Sequence, residues 1–219
     1  MCRTDPEWDN HSMMAGFIHG EAYSQAAYIA GDKTAKGLRG SSKTIFLGRV
    51  YGMGEAKLCQ SLGLPTVKGT PDWAGGRTVD LAGPEGRELI DKFNAGVPYV
   101  REISRKMTKK AEAVGYVKTK LGRRCRFPRN PQTGKCMFTH KATNRVVQGS
   151  SGDQAKLAMV LADEAGIPLQ LQVHDEFCLT IHNRETAEQL AHIMSTALPN
   201  MRVPFPVDIE LGPNWGDAK

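Results

Sequence analysis

Arg39, Lys43, Leu47 and Tyr51 recur every four residues. On a helix each step of four advances about 40° around the axis, so the four side chains share one broad face about 18 Å long. Two cations one turn apart suit phosphates, the apolar residue between them and the ring suits a sugar and base, and the aromatic at the far end suits a template base. An amphipathic surface helix has the same spacing, and these four residues alone leave both readings open. A phosphate-binding loop competes over Gly37-Leu38-Arg39-Gly40-Ser41-Ser42-Lys43-Thr44, but that loop requires Gly immediately before its Lys and a hydrophobic strand upstream. Ser42 fills the glycine position, and GDKTAKG (31–37) is no strand.

A second group is His174-Asp175-Glu176, between the alternating segments LQLQV (169–173) and FCLTI (177–181). The pattern predicts a tight antiparallel hairpin with these three residues at its tip. Adjacent carboxylates there can hold Mg²⁺, which is bound through one or two carboxylates plus substrate phosphates; a turn Asp bonding its own backbone is the plainer alternative. Asn144 and Gln148, one helical turn apart and followed by GSSGD (149–153), can donate to the near-uniform acceptors of the minor groove. A helix junction packed through small residues is the other reading. Arg123, Arg124 and Arg126 fit phosphate contacts that position a duplex without reading it, or a solubilising surface.

The elements that must position these groups are partly legible. Residues 1–12 read as irregular, 13–30 as one helix or two, and Gly31–Gly40 as a connection. SSKTIFLGRVYGM (41–53) fits helix or strand by periodicity. The Gly- and Pro-rich stretch 63–86 reads as loop, followed by a helix over 85–114 with a break near Pro98. The cations Arg101, Arg105, Lys106, Lys109 and Lys110 on that helix read as a solvated face. GYVKTKLGRRCRFP (115–128) predicts a basic hairpin, 141–166 a long helix, 184–197 another, and 206–211 a closing strand.

The chain has 219 residues, with 29 Lys and Arg against 23 Asp and Glu, a net charge of +6 that suits a polyphosphate partner. No apolar run is long enough to span a membrane, and Met1–Trp8 has no signal-peptide core, so a soluble cytoplasmic protein without a membrane partner is expected. Cys2, Cys59, Cys125, Cys136 and Cys178 form no C-x-x-C pair and are read as reduced thiols.

Read together, R-x-x-x-K-T-I-x-x-G-x-x-Y-G-M-G (39–54) resembles the fingers-helix motif of family A DNA polymerases, the family of bacterial DNA polymerase I. LQLQVHDE (169–176) resembles the same family's palm hairpin. Between them GYVKTKLGRR (115–124) and NRVVQGSSGD (144–153) resemble two further family segments. The resemblance implies an α+β, right-hand polymerase fold, with fingers over 13–114 and part of the palm over 115–219. It makes 41–53 a helix. It implies Arg39 and Lys43 on the phosphates of the incoming deoxynucleotide, with Lys43 able to protonate the leaving group, and Tyr51 at the template-base site. Asp175 would hold catalytic Mg²⁺ with Glu176 in support, while His174, Asn144 and Gln148 would meet the primer end and minor groove. Primer-template DNA and dNTPs are the implied partners, and a two-metal attack by the primer 3′-hydroxyl the implied chemistry.

Two departures qualify this expectation. Leu47 stands where the family usually has Phe or Tyr. The first palm motif, D-Y-S-x-x-E, has no match in residues 1–16, because Asp5 and Asp9 lie in DPEWDNHS without an apolar strand. The thumb is missing too. The chain by itself is therefore expected to be inactive or nearly so, and to work as the C-terminal part of a split phage polymerase completed by a second polypeptide. The alternatives are an inactive truncated fragment or a non-catalytic DNA-binding module.

Overall fold

The computed structural model describes residues 9–203 and 205–218. The described residues fold as two compact units: one comprises 9–116 and 127–144, the other 117–126 and 145–218 apart from residue 204.

In the first unit, Asp9 caps helix α1 (Asn10–His19), accepting from the His11 backbone N–H. A single 3₁₀ turn and a short helix α2 (Gln25–Ile29) lead to α3 (Lys33–Val50). The expected connection at 31–40 is thus mostly helix. Asp32 starts it by accepting from Ala35 N at 2.7 Å, and that cap nucleates the helix about three turns before Thr44, the first of the strand-favouring Thr44, Ile45 and Val50. Within α3 the hydroxyls of Ser41, Ser42 and Thr44 donate to carbonyls one turn back, which satisfies them without breaking the helix. Of the 41–53 that the resemblance made helical, 41–50 are helix; Tyr51 caps its C-terminus, and Gly52, at φ 78°, turns the chain out of it before Met53.

Helix α4 (Glu55–Ser61) follows, and then a surprise in the stretch read as loop: β1 (Thr66–Gly69) pairs antiparallel with β2 (Val79–Ala82), from Thr66 opposite Ala82 to Gly69 opposite Val79. Thr66, Val67, Val79 and Leu81 carry the strand signal there, and the Gly and Pro crowd the turn between the strands and their outer ends. Helices α5 (Pro84–Gly96) and α6 (Pro98–Val114) meet at Val97, whose φ of −135° is non-helical because Pro98 follows it. Met14, Ile18, Ile45, Leu58, Cys59, Ile90 and Phe93 form the core where α1, α3, α4 and α5 converge. Burying a side chain the size of Phe93 contributes about 2–3 kcal/mol.

The second unit holds the basic hairpin of β3 (Tyr116–Lys118) and β4 (Arg124–Arg126), whose first residue counts with the first unit. It also holds most of α7 (Ala142–Glu164), the hairpin of β5 (Leu171–Val173) and β6 (Glu176–Cys178), and α8 (Arg184–Thr196). Ala162, Ile167 and Leu190 pack with Leu169, Phe177, Leu179 and Ile193, so α7 and α8 back the β5–β6 hairpin. The strand expected at 206–211 does not form among the described residues. Residues 205–210 keep an alternation of half-buried and exposed positions but find no partner strand, and a strand exists only by pairing. No helix among the described residues is long and apolar enough to cross a membrane.

Candidate functional site

Helix α3 presents the four-residue series outward while Ala35, Ser42, Ile45 and Gly48 are buried on its other side. Arg39, Leu47 and Tyr51 are half-buried and Lys43 is exposed. Tyr51 lies just past the last helical residue, yet its N–H still donates to Leu47 O at 2.9 Å, so it continues the same face.

Arg39 is not a loose surface cation. Its Nε donates to Asp9 Oδ2 at 2.6 Å and its Nη2 to Asp9 Oδ1 at 3.0 Å, a bidentate pair. Its guanidinium carbon stands 4.6 Å from the centroid of the Tyr28 ring. Burial opposes ionisation of Asp9, but bonds from Arg39, Ser12 and the His11 backbone outweigh it and hold the carboxyl well below the usual range. Asp9 therefore remains an anion wherever the protein is folded at ordinary pH.

Beside this pair lies His11, a residue the spacing argument missed. Its ring packs edge-on against Phe46 at 6.0 Å, and its Nδ1 is buried without a hydrogen-bond partner among the described residues. Burial first, and then the charges of Arg39 and Lys43, lower its pKa below 6.5, with Asp9 opposing them. Arg39, Lys43 and a neutral imidazole set against one carboxylate leave net positive potential at this end of α3, which attracts anions. Asp9 is readable in advance only as a helix cap; its pairing with a cation 30 residues away follows from the packing of α1 on α3 and leaves no period in the sequence.

In the second unit, Val173 pairs with Glu176, so the hairpin turn contains just His174 and Asp175 and Glu176 begins a strand. His174 adopts φ 56°, a left-handed conformation that His tolerates better than bulky residues do. All three side chains are exposed. Glu176 Oε1 accepts from Trp215 Nε1 at 3.4 Å, whereas the Asp175 carboxylate has no partner among the described residues. Among the described residues no group of three or more His, Cys, Asp or Glu could hold a metal. Exposed oxygen donors at this tip still suit Mg²⁺, which takes one or two carboxylates and completes its shell with water and phosphate.

Arg123 is committed inside its unit: Nε donates to Asp153 Oδ1 at 2.7 Å and Nη2 to Gly149 O at 3.1 Å. It braces the basic hairpin against α7, and Gly149 permits the approach, because a Cβ there would lie 2.9 Å from Thr119 Cγ2. The sequence reading also missed Asp153, which is buried at 8% exposure. Arg124 and Arg126 are exposed. Asn144 and Gln148 both lie on α7, the first half-buried and the second exposed.

Comparison with known proteins fits these features to one family. Over 99% of its length the chain is 42% identical to a DNA-directed DNA polymerase of Pseudomonas phage M6, of which it spans 32%. It is 28% identical to DNA polymerase I of Geobacillus stearothermophilus over 92% of its length and 22% of that protein. The chain thus spans about a third or less of the length of the relatives it matches. Its fold resembles the POL domain of Pol1 from M. smegmatis in complex with DNA primer-template and dNTP. The TM-score is 0.70 at 26% identity, over 96% of this chain and 35% of the other. The fold is accordingly α+β and polymerase-like, built of helices and short antiparallel hairpins. Residues 13–217 match the family described as DNA polymerase family A, and the chain belongs to it.

Proposed function

We propose that this chain serves DNA-templated DNA synthesis, the transfer of a nucleotidyl group from a dNTP to a primer 3′-hydroxyl, with 13–114 acting as fingers and 115–219 as part of the palm. The observation that carries the reading is the outward face of α3, where an oriented Arg39 and an exposed Lys43 precede Leu47 and Tyr51 in the order phosphate, sugar, base. Arg39 and Lys43 bind the triphosphate, and Lys43, the group free to move, delivers a proton to departing pyrophosphate. Leu47 lies against the sugar and Tyr51 against the template base.

At the β5–β6 tip Asp175 holds Mg²⁺ with Glu176 in support. Bound there, magnesium supplies Lewis-acid activation of the 3′-hydroxyl and charge neutralisation on the phosphates in a two-metal mechanism. His174, Gln148 and Asn144 follow the primer terminus and minor groove, and the basic hairpin with Arg123 and Arg124 follows the backbone. A second metal-binding aspartate, of the D-Y-S-x-x-E motif, would be contributed from outside these 219 residues.

Primer extension with Mg²⁺ and four dNTPs, using the chain alone and then with a polypeptide carrying the first palm motif, tests this. Extension only in the mixture, lost on Asp175→Ala, is the expected result. DNA binding without extension in either case would instead make the chain a binding module.

A further inference from the structure

Asp9 has no part in the chemistry proposed above, yet it is the most heavily bonded side chain near α3. Its Oδ1 accepts from Arg39 Nη2 and from the His11 backbone N–H, both at 3.0 Å. Its Oδ2 accepts from Arg39 Nε and from Ser12 Oγ, both at 2.6 Å. Ser12 in turn accepts from the Tyr23 hydroxyl at 2.6 Å. The carboxylate is anchored to the first turn of α1, and α1 is packed into the core through Met14 and Ile18, so it cannot follow a moving partner. Arg39 is the partner that loses its freedom. One edge of its guanidinium is clamped by Asp9 and one face is covered by Tyr28. Of its five N–H donors two are used, and those on Nη1 have no partner among the described residues.

We propose that Asp9 is a positioning residue for the incoming nucleotide, one that fixes Arg39 so that its unused donor edge meets the triphosphate already oriented. This inference rests on the reading of Arg39 as a phosphate ligand. Two effects of Asp9 on that ligand oppose each other. Its negative charge repels a polyanion, while the clamp removes the cost of ordering a long side chain when the phosphate arrives. Positioning means that the second effect wins.

The sign of one substitution decides. Isothermal titration of the full chain with dATP and Mg²⁺ is compared for the unaltered protein, Asp9→Asn, Asp9→Ser, Arg39→Ala and the double variants. Asp9→Ser keeps a good helix cap while removing the clamp, so it guards against loss of α1; melting curves check that each variant folds. The expected result is weaker binding in Asp9→Asn and Asp9→Ser by about two- to tenfold, the scale of ordering one flexible side chain. In the Arg39→Ala background neither change should weaken binding further, and loss of the Asp9 charge, with no clamp left to lose, should leave binding equal or tighter. Tighter binding without Asp9 would overturn the proposal and make the carboxylate a competitor of the phosphate. Equal weakening in the presence and absence of Arg39 would overturn it as well, showing a purely structural role. If Arg39→Ala binds normally, or the unaltered chain does not bind dATP, the phosphate-ligand reading itself fails.

Discussion

Leu47 is where a single side chain should change substrate preference. Half-buried in the middle of the α3 face, it offers a branched aliphatic surface where a flat ring would stack. Leu47→Phe is expected to raise incorporation and to shift the ratio of dideoxy- to deoxynucleotide use, read from chain-termination patterns in the reconstituted polymerase; an unchanged ratio would remove Leu47 from the sugar site. His11 and His19 give the first unit a pH dependence of definite sign. Burial is the leading cause that lowers both pKa values below their ordinary 6.5. As pH falls below about 6.5 the unfolded chain takes up protons that the folded chain refuses, so stability drops. Asp9 stays ionised throughout that range and contributes no slope there. Denaturant midpoints at pH 7.5 and pH 5 should differ in that direction, and His11→Gln with His19→Gln should flatten the difference. The spacing of Arg39, Lys43, Leu47 and Tyr51 was legible because a helix repeats in sequence. The clamp on Arg39 was not, because contacts between helices do not.

Among the elements, close approaches of backbone set the tolerances. Gly86 on α5 faces Cys59 on α4 so closely that a Cβ there would lie 2.2 Å from the cysteine sulfur. Gly86→Ala gains about 1 kcal/mol of helix propensity but overpacks a closed core at a cost of about 1–3 kcal/mol. A lowered denaturation midpoint is expected, with recovery in the double variant Gly86→Ala, Cys59→Ala; no recovery would place the strain elsewhere. Element types were readable where one signal dominated, as in the α5–α6 break at Pro98 and the β5–β6 hairpin. They were misread where signals conflicted. Gly37 and Gly40 hid the first half of α3, whose start is written in the Asp32 cap, and the β1–β2 turn hid its own strands. The segment 206–211 shows the converse, since alternation is a property of sequence while pairing requires a second strand.

For the molecule as a whole, charge is unevenly distributed between the units. Among the described residues the first contains 18 Lys and Arg against 11 Asp and Glu, the second 9 against 10, so the positive excess belongs to the first. Within the second unit, five cations on 117–126 are offset by carboxylates elsewhere. DNA affinity should therefore fall steeply with salt. Reversing Arg124 and Arg126 to Glu should weaken binding of primer-template irrespective of sequence and reduce the salt slope by about one per arginine. The same reversal at Arg101 and Arg105 on α6, read as a solvated face, serves as the comparison; equal losses from both pairs would mean that only net charge matters. Composition suited a polyphosphate partner but did not show the division of charge, because the units are not sequential blocks.

That interleaving bears on synthesis. The chain passes from one unit to the other after residues 116, 126 and 144. During translation the first unit lacks its closing segment 127–144 until Asn144 has left the ribosome, and the basic hairpin made earlier waits for α7 to give Arg123 its carboxylate. A single cut after residue 144 frees the first unit only with the 117–126 hairpin of the second still attached, and a nascent chain stalled anywhere between residues 116 and 144 exposes an unfinished surface of the first unit to chaperones and proteases.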